Sequence, residues 1–225
     1  MKKIGMVVAM QKEIVPLFES LGIKVKTVKR FGFDITKFDY LDKSIICMQS
    51  GIGEIHAAAA TQALIGTYGA EAIINFGVCG ALGETALTET VIVKGVAHYD
   101  FDLSPIDDVS VGQYPSENSA VIETDKFLRK TAKKILPDCK EVICASADKF
   151  VADEKEKERL KMTFGAEICE MESAGVLITC KHSGVPCLIV KAVSDGKGGA
   201  EEYKKTVDTA SRSCVRLVTE LLKKL

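Results

Sequence analysis

Residues 166–195, AEICEMESAGVLITCKHSGVPCLIVKAVSD, constrain the fold more than any other stretch of the chain. Met171, Ala174, Leu177 and Ile178 recur at spacings of three and four, which predicts one apolar helical face. Gly184 and Pro186 close that helix. Cys187 to Val193 is then a short, mostly apolar run, of a length that suits a strand buried on both faces. Ser194-Asp195 follows at its carboxyl end, where open α/β sheets bind their ligands. Two acids, Glu170 and Glu172, stand near the start of the predicted helix. Helical residues two apart point in nearly opposite directions, so a cleft there uses one of them and the other is free to be solvated.

The same unit recurs along the chain. Ile4 to Ala9 reads as a strand, and Glu13 sits just past its end at the opening of a helix patterned by Ile14, Leu17, Phe18 and Leu21. Residues 24–38 read as a hairpin around Gly32. Ser44 to Gln49 is a strand, Ser50-Gly51-Ile52-Gly53 a tight turn, and Glu54 to Tyr68 an Ala-rich helix. Ala72 to Phe76 is a further strand, Gly77-Val78-Cys79-Gly80 a Gly-rich turn, and Val91 to His98 another strand. Residues 99–115, rich in acids, aromatics and turn formers, form a loop long enough to act as a binding loop or lid. A helix over Asp125 to Ile135, a strand over Glu141 to Ala145, a charged helix from Glu154 and a C-terminal helix from about Ala200 complete the pattern. Strands alternating with helices from end to end predict one α/β domain over residues 1–225.

Composition narrows the partners. Net charge is −1 with Lys and Arg spread along the chain, so nothing calls for nucleic acid or an anionic membrane. No run approaches the roughly 20 apolar residues that span a bilayer. The opening MKKIGMVVAMQKE is basic then apolar, but its apolar run is short and meets Gln11-Lys12-Glu13, which suits a first strand and not a signal peptide. Eight cysteines make no CxxC pair and stand in apolar contexts, as buried free thiols of a cytoplasmic protein do. No metal site or cofactor is expected.

The turns SGIG and GVCG can present backbone N–H groups to an anion, but neither is a dinucleotide fingerprint nor a P-loop, and tight-turn glycines are the simpler reading. A phosphate co-substrate calls for Arg or Lys nearby. All five arginines, at 30, 129, 159, 212 and 216, lie away from both turns in the sequence. His56, His98 and His182 lack metal-ligand spacing, and Cys79 lacks the partner pattern of a nucleophile. Glu13, Glu172 and Asp195 remain as acids at strand–helix junctions, with Asp148 a weaker fourth. Converging on one cleft, such acids serve as base, acid and hydroxyl acceptor.

Taken together, VVAMQKE (7–13), SGIG (50–53), NFGVCGAL (75–82), YDFDLS (99–104), SADKFV (146–151), CEMES (169–173) and VKAVSD (190–195) resemble the nucleoside phosphorylase and nucleosidase superfamily. The branch they are most similar to is that of the 5′-methylthioadenosine/S-adenosylhomocysteine nucleosidases. The resemblance covers essentially the whole chain. It implies a three-layer α/β fold whose twisted mixed central sheet, mostly parallel, is flanked by helices. It also implies a homodimer without cofactor, acting on a small-molecule purine nucleoside.

Carried over position by position, the resemblance makes Asp195 the acid that protonates purine N7, with Ser194 holding its carboxylate. Glu13 becomes the base for an attacking water, Glu172 the acceptor of ribose hydroxyl bonds, and Met171 a packing partner of the sugar. Phe150 would stack on the base and the backbone of Val151 would read its edge. Met10 and Ile52, with Leu103 and Ile106, would surround the 5′ group or belong to a neighbouring subunit's wall, and Val78 and Lys191 would complete the substrate site. Three departures stand out: Val78 replaces a Ser, Lys191 replaces an Arg and so loses the planar fork, and the 196–205 segment is short, leaving Tyr203 as a guess for the pocket wall. Hydrolysis is the expected chemistry. A phosphorylase of the same fold and a catalytically weak nucleoside-binding protein remain the alternatives.

Overall fold

A computed structural model describes all 225 residues. The strands are β1 (Lys3–Val8), β2 (Thr27–Arg30), β3 (Phe33–Tyr40), β4 (Lys43–Gln49), β5 (Ala72–Ala81), β6 (Thr90–His98), β7 (Val121–Glu123), β8 (Lys140–Ser146), β9 (Ile168–Glu170) and β10 (Cys187–Asp195). The helices are α1 (Gln11–Leu21), α2 (Glu54–Gly66), α3 (Lys126–Ile135), α4 (Glu154–Phe164), α5 (Ser173–His182) and α6 (Gly199–Leu222).

All ten strands join one mixed sheet. Five pairings are parallel and five antiparallel, so the sheet is not mostly parallel as expected. The antiparallel share comes from the β2–β3–β4 meander at one edge, from β7 and β9, strands of three residues each, and from the pairing of β6 with β10. The sheet also closes on itself: β5 pairs with β10, β10 with β6, β6 with β8, β8 with β9, and β9 returns to β5. Closure removes edges that would otherwise need covering. It brings the carboxyl ends of β5, β8, β9 and β10 together.

Alternation along the strands splits the core into two faces. Ile4, Met6 and Val8 of β1 pack with residues of α1, α3 and α6, such as Leu17, Leu128 and Leu217. Val7 faces the other way, toward Ala57, Ala60 and Leu64 of α2 and Ala174 and Leu177 of α5. The result is helix, sheet, helix in three layers. β10 is buried at every position, as its apolar run predicts, and includes the buried Lys191.

Two stretches fold differently from expectation. Gly77-Val78-Cys79-Gly80 is not a turn; β5 runs straight through it. The 166–172 segment is not the start of a helix: Ile168–Glu170 is strand β9, and α5 begins only at Ser173, after Met171 and Glu172. Glu170 and Glu172 therefore stand at a bend between β9 and α5, and both are buried.

Candidate active site

One cavity opens where the carboxyl ends of β1, β5, β9 and β10 converge, and Glu13, Glu172 and Asp195 all line it. Each reaches it for a local reason. Glu13 is the third residue of α1, where its Oε2 accepts the Met10 backbone N–H at 2.9 Å and closes a capping box. Its Oε1 accepts the Val78 N–H at 2.8 Å. Here the two glycines of GVCG find their use: a Cβ on Gly77 would collide with the Glu13 carboxylate, and one on Gly80 would press on Asp195 Oδ2 at 3.1 Å.

Asp195 ends β10. Val193 pairs with Cys79 and Asp195 with the next residue, Gly80, so Ser194 is bulged out of register. A bulge of this kind re-aims the side chain that follows it. The Ser194 hydroxyl lies 2.8 Å from Asp195 Oδ1 and 3.2 Å from the Cys79 carbonyl. Burial raises the Asp195 pKa, while Ser194 and the Lys157 charge work to lower it. Burial likewise raises Glu13, against the pull of Lys191. Glu172, whose Oε1 accepts the Gly53 N–H at 3.0 Å, is pushed up to about 8 by burial and then by the neighbouring Glu170 charge. Gly53 holds φ 111°, a conformation that an L side chain rarely adopts, so the SGIG turn does present an N–H to an acid.

The walls are apolar. Met10, Ile52, Val78, Phe150, Val151 and Met171 line the cavity with Ser194, as expected. Tyr203 lines it too, edge-on to Phe150 with centroids 6.1 Å apart, its hydroxyl 3.5 Å from Met10 Sδ.

Other expected positions fall elsewhere. Lys191 does not line the cavity: its Nζ lies 2.7 Å from Glu170 Oε2, behind the site. A side chain on an inward-facing strand position beside a buried carboxylate stays with that partner. Asp148 caps α2 instead, its Oδ1 accepting the Glu54 N–H at 2.7 Å. No residue of the 99–115 loop, Leu103 and Ile106 included, lines the cavity, and none of the five arginines does.

Glu170 is the residue that reasoning on helical spacing missed. It lines the cavity and is the counter-ion of Lys191. Burial opposes its ionisation, but Lys191, Ser146 and the Ser173 N–H outweigh burial and hold its pKa below the usual value. Gly165, which ends α4 with φ 64°, followed by the apolar Ala166 and Ile168, was the available signal that a strand intervened.

A cavity of this kind, apolar and ringed by four buried acids, three of them with raised pKa values, suits proton transfer to and from a small uncharged molecule. Comparisons with known proteins agree in class. The family model described as the phosphorylase superfamily matches residues 3–223. An aminodeoxyfutalosine nucleosidase of Helicobacter pylori (strain J99) is 32% identical over 98% of this chain and 100% of its own length. A 5′-methylthioadenosine/S-adenosylhomocysteine nucleosidase of Tolumonas auensis is 26% identical over 99% of this chain and 100% of its own. Among solved structures, the 5′-methylthioadenosine/S-adenosylhomocysteine nucleosidase of H. pylori with butyl-thio-DADMe-Immucillin-A superposes with a TM-score of 0.94 at 29% identity, covering 100% of this chain and 99% of that one. With the fold, the converging acids and a family match over nearly the whole length in agreement, the chain belongs to the phosphorylase superfamily.

Proposed function

We propose that residues 1–225 form a single nucleosidase domain that hydrolyses the N-glycosidic bond of a purine nucleoside. The observation that carries this reading is Asp195, buried at a strand end, bonded to Ser194 and raised in pKa, across the cavity from Glu13. Asp195 gives its proton to N7 of the purine. The base then leaves neutral, and the ribosyl carbon becomes oxocarbenium-like as the C–N bond stretches. Glu13 takes a proton from water as that water attacks the anomeric carbon. Glu172 accepts hydrogen bonds from the ribose hydroxyls, and the Glu13 carboxylate stabilises the developing positive charge in a water-poor cavity. Phe150 stacks on the base. The lining holds no arginine and a single lysine, Lys149, fewer cations than a bound phosphate calls for, which favours water as acceptor.

For the substrate we favour 5′-methylthioadenosine and S-adenosylhomocysteine, on the residues quoted from the resemblance. Aminodeoxyfutalosine is the second reading, because relatives 30 to 32% identical carry that name. Release of free base from each compound in separate assays with purified protein decides between them. A kcat/KM at least tenfold higher for one assigns the substrate, and no release from any of them overturns the nucleosidase reading. We also read the chain as a cytoplasmic homodimer, in keeping with its buried free thiols and with Ile52, Ile55 and Ile106, which stand 53, 77 and 79% exposed on the isolated chain.

A further inference from the structure

From Glu170 at the cavity wall inward runs a chain of buried polar side chains that the proposed reaction does not use. Glu54, in the first turn of α2, is hydrogen-bonded through Oε1 to the Ser146 hydroxyl at the end of β8. Ser146 Oγ lies 2.5 Å from Glu170 Oε1, and Glu170 Oε2 lies 2.7 Å from Lys191 Nζ. All four side chains are buried.

This chain meets the N-terminus of α5. An α-helix leaves its first N–H groups without internal partners. Here the Glu172 and Ser173 N–H groups donate to Glu170 at 3.1 Å, the Ala174 N–H donates to Ser146 Oγ at 3.1 Å, and the Gly175 N–H donates to Glu54 Oε2. Four successive donors are thus satisfied by three side chains from three other elements. Gly175 is required, because a Cβ there would run into the Glu54 backbone carbonyl.

Counting protons decides the charges. A serine hydroxyl has one proton to give, and Ser146 stands between two carboxylates. Both bonds form only if one carboxyl is itself protonated. Glu170 receives Lys191 and two backbone N–H groups and so is the anion, further favoured by the helix N-terminus. Glu54 has no cation against it. The groups that face it are Glu170 from β9, Asp148 from the loop after β8 and Tyr114 from the 99–115 loop, with Lys191 of β10 reaching it only through Glu170. Burial, then Glu170, pushes Glu54 up to about 8.

We propose that Glu54 is a neutral carboxylic acid that donates to Ser146, which donates to Glu170, and that this relay, anchored by Lys191, is the device that fixes Glu172 in the cavity. Glu54 is then a positioning residue. Its proton holds the start of α5, and α5 begins immediately after Glu172.

The test is a set of thermal melts of the full chain and of Glu54→Gln between pH 5 and pH 8.5. A glutamine amide donates to Ser146 and accepts from Gly175 at every pH, as the neutral acid does. A carboxyl whose folded pKa lies above its unfolded one stabilises the fold less as pH rises between the two values. Wild type is therefore expected to match the variant near pH 5 and to fall progressively below it in Tm towards pH 8. A Tm difference that stays constant with pH, or that widens in favour of wild type, overturns the proposal. A kinetic arm rests on the nucleosidase reading: Glu54→Ala raises KM for the nucleoside on the order of tenfold and Glu54→Gln reverses that rise. Equal KM in all three proteins overturns the positioning role. The melts need no substrate, so a failure of the nucleosidase reading leaves them to decide alone.

Discussion

Lys191 Nζ and Glu170 Oε2 lie 2.7 Å apart, with side chains 2% and 4% exposed, and form a shielded ion pair behind the cavity. Burial works against the Lys191 charge, yet Glu170 and Glu172 overcome it and keep the ammonium protonated. Breaking such a pair from one side leaves an uncompensated buried charge. Lys191→Met is expected to cost about 3–5 kcal/mol of stability, read from the denaturant midpoint. Adding Glu170→Gln should recover part of that loss, and a double variant less stable than Lys191→Met would contradict the pairing.

Gly77 leaves room for the Glu13 carboxylate, since any Cβ there would meet it. Gly77→Ala is expected to displace Glu13 and to lower kcat by on the order of a hundredfold while leaving the cooperative unfolding transition in place. Steady-state kinetics beside a thermal melt check this. Full activity in the variant would mean that Glu13 is not held where the reaction needs it.

How much of this was legible beforehand follows from what spacing reports. Glu13 and Asp195 were readable because each stands within a few residues of the end of an apolar run, and local pattern locates strand ends. Glu172 was readable as an acid at a helix junction, and only the resemblance gave it a role distinct from that of Glu170. Helical spacing alone left it equivalent to Glu170, because β9 is three residues long and carries too little pattern to be seen. GVCG looked like a turn because glycines punctuate turns; here Gly77 and Gly80 make room for carboxylates that arrive from α1 and β10, far away in the chain. The Lys191–Glu170 pair and the Glu54 relay depend on closure of the sheet, which no local window contains.

The activity profile should be a bell. Glu13 must be ionised to take a proton from water, so activity rises with pH through its raised pKa; Asp195 must be protonated, so activity falls through its own. Lys157 gives this sign a test. Its Nζ holds the Gly196 carbonyl at 2.6 Å and its charge lowers the Asp195 pKa. Lys157→Met is expected to shift the alkaline limb of kcat against pH upward. A downward shift would contradict Asp195 as the acid.

Met10, Ile52 and Tyr203 are among the apolar and aromatic groups that wall the cavity. Tyr203→Ala removes the ring that stands edge-on to Phe150. It is expected to raise KM several-fold, since an aromatic pair contributes about 0.5–1.5 kcal/mol beyond its burial, with a smaller change in kcat. A loss confined to kcat would place Tyr203 in the chemistry instead of in binding.

The central claim is that Asp195 is the acid of a hydrolysis that needs no phosphate. The most direct measurement is adenine release from methylthioadenosine by purified protein, with and without added phosphate, beside Asp195→Asn. Release is expected at the same rate in both conditions and is expected to be lost in the variant. Release only when phosphate is present would make the protein a phosphorylase, and full activity in Asp195→Asn would remove Asp195 from the mechanism.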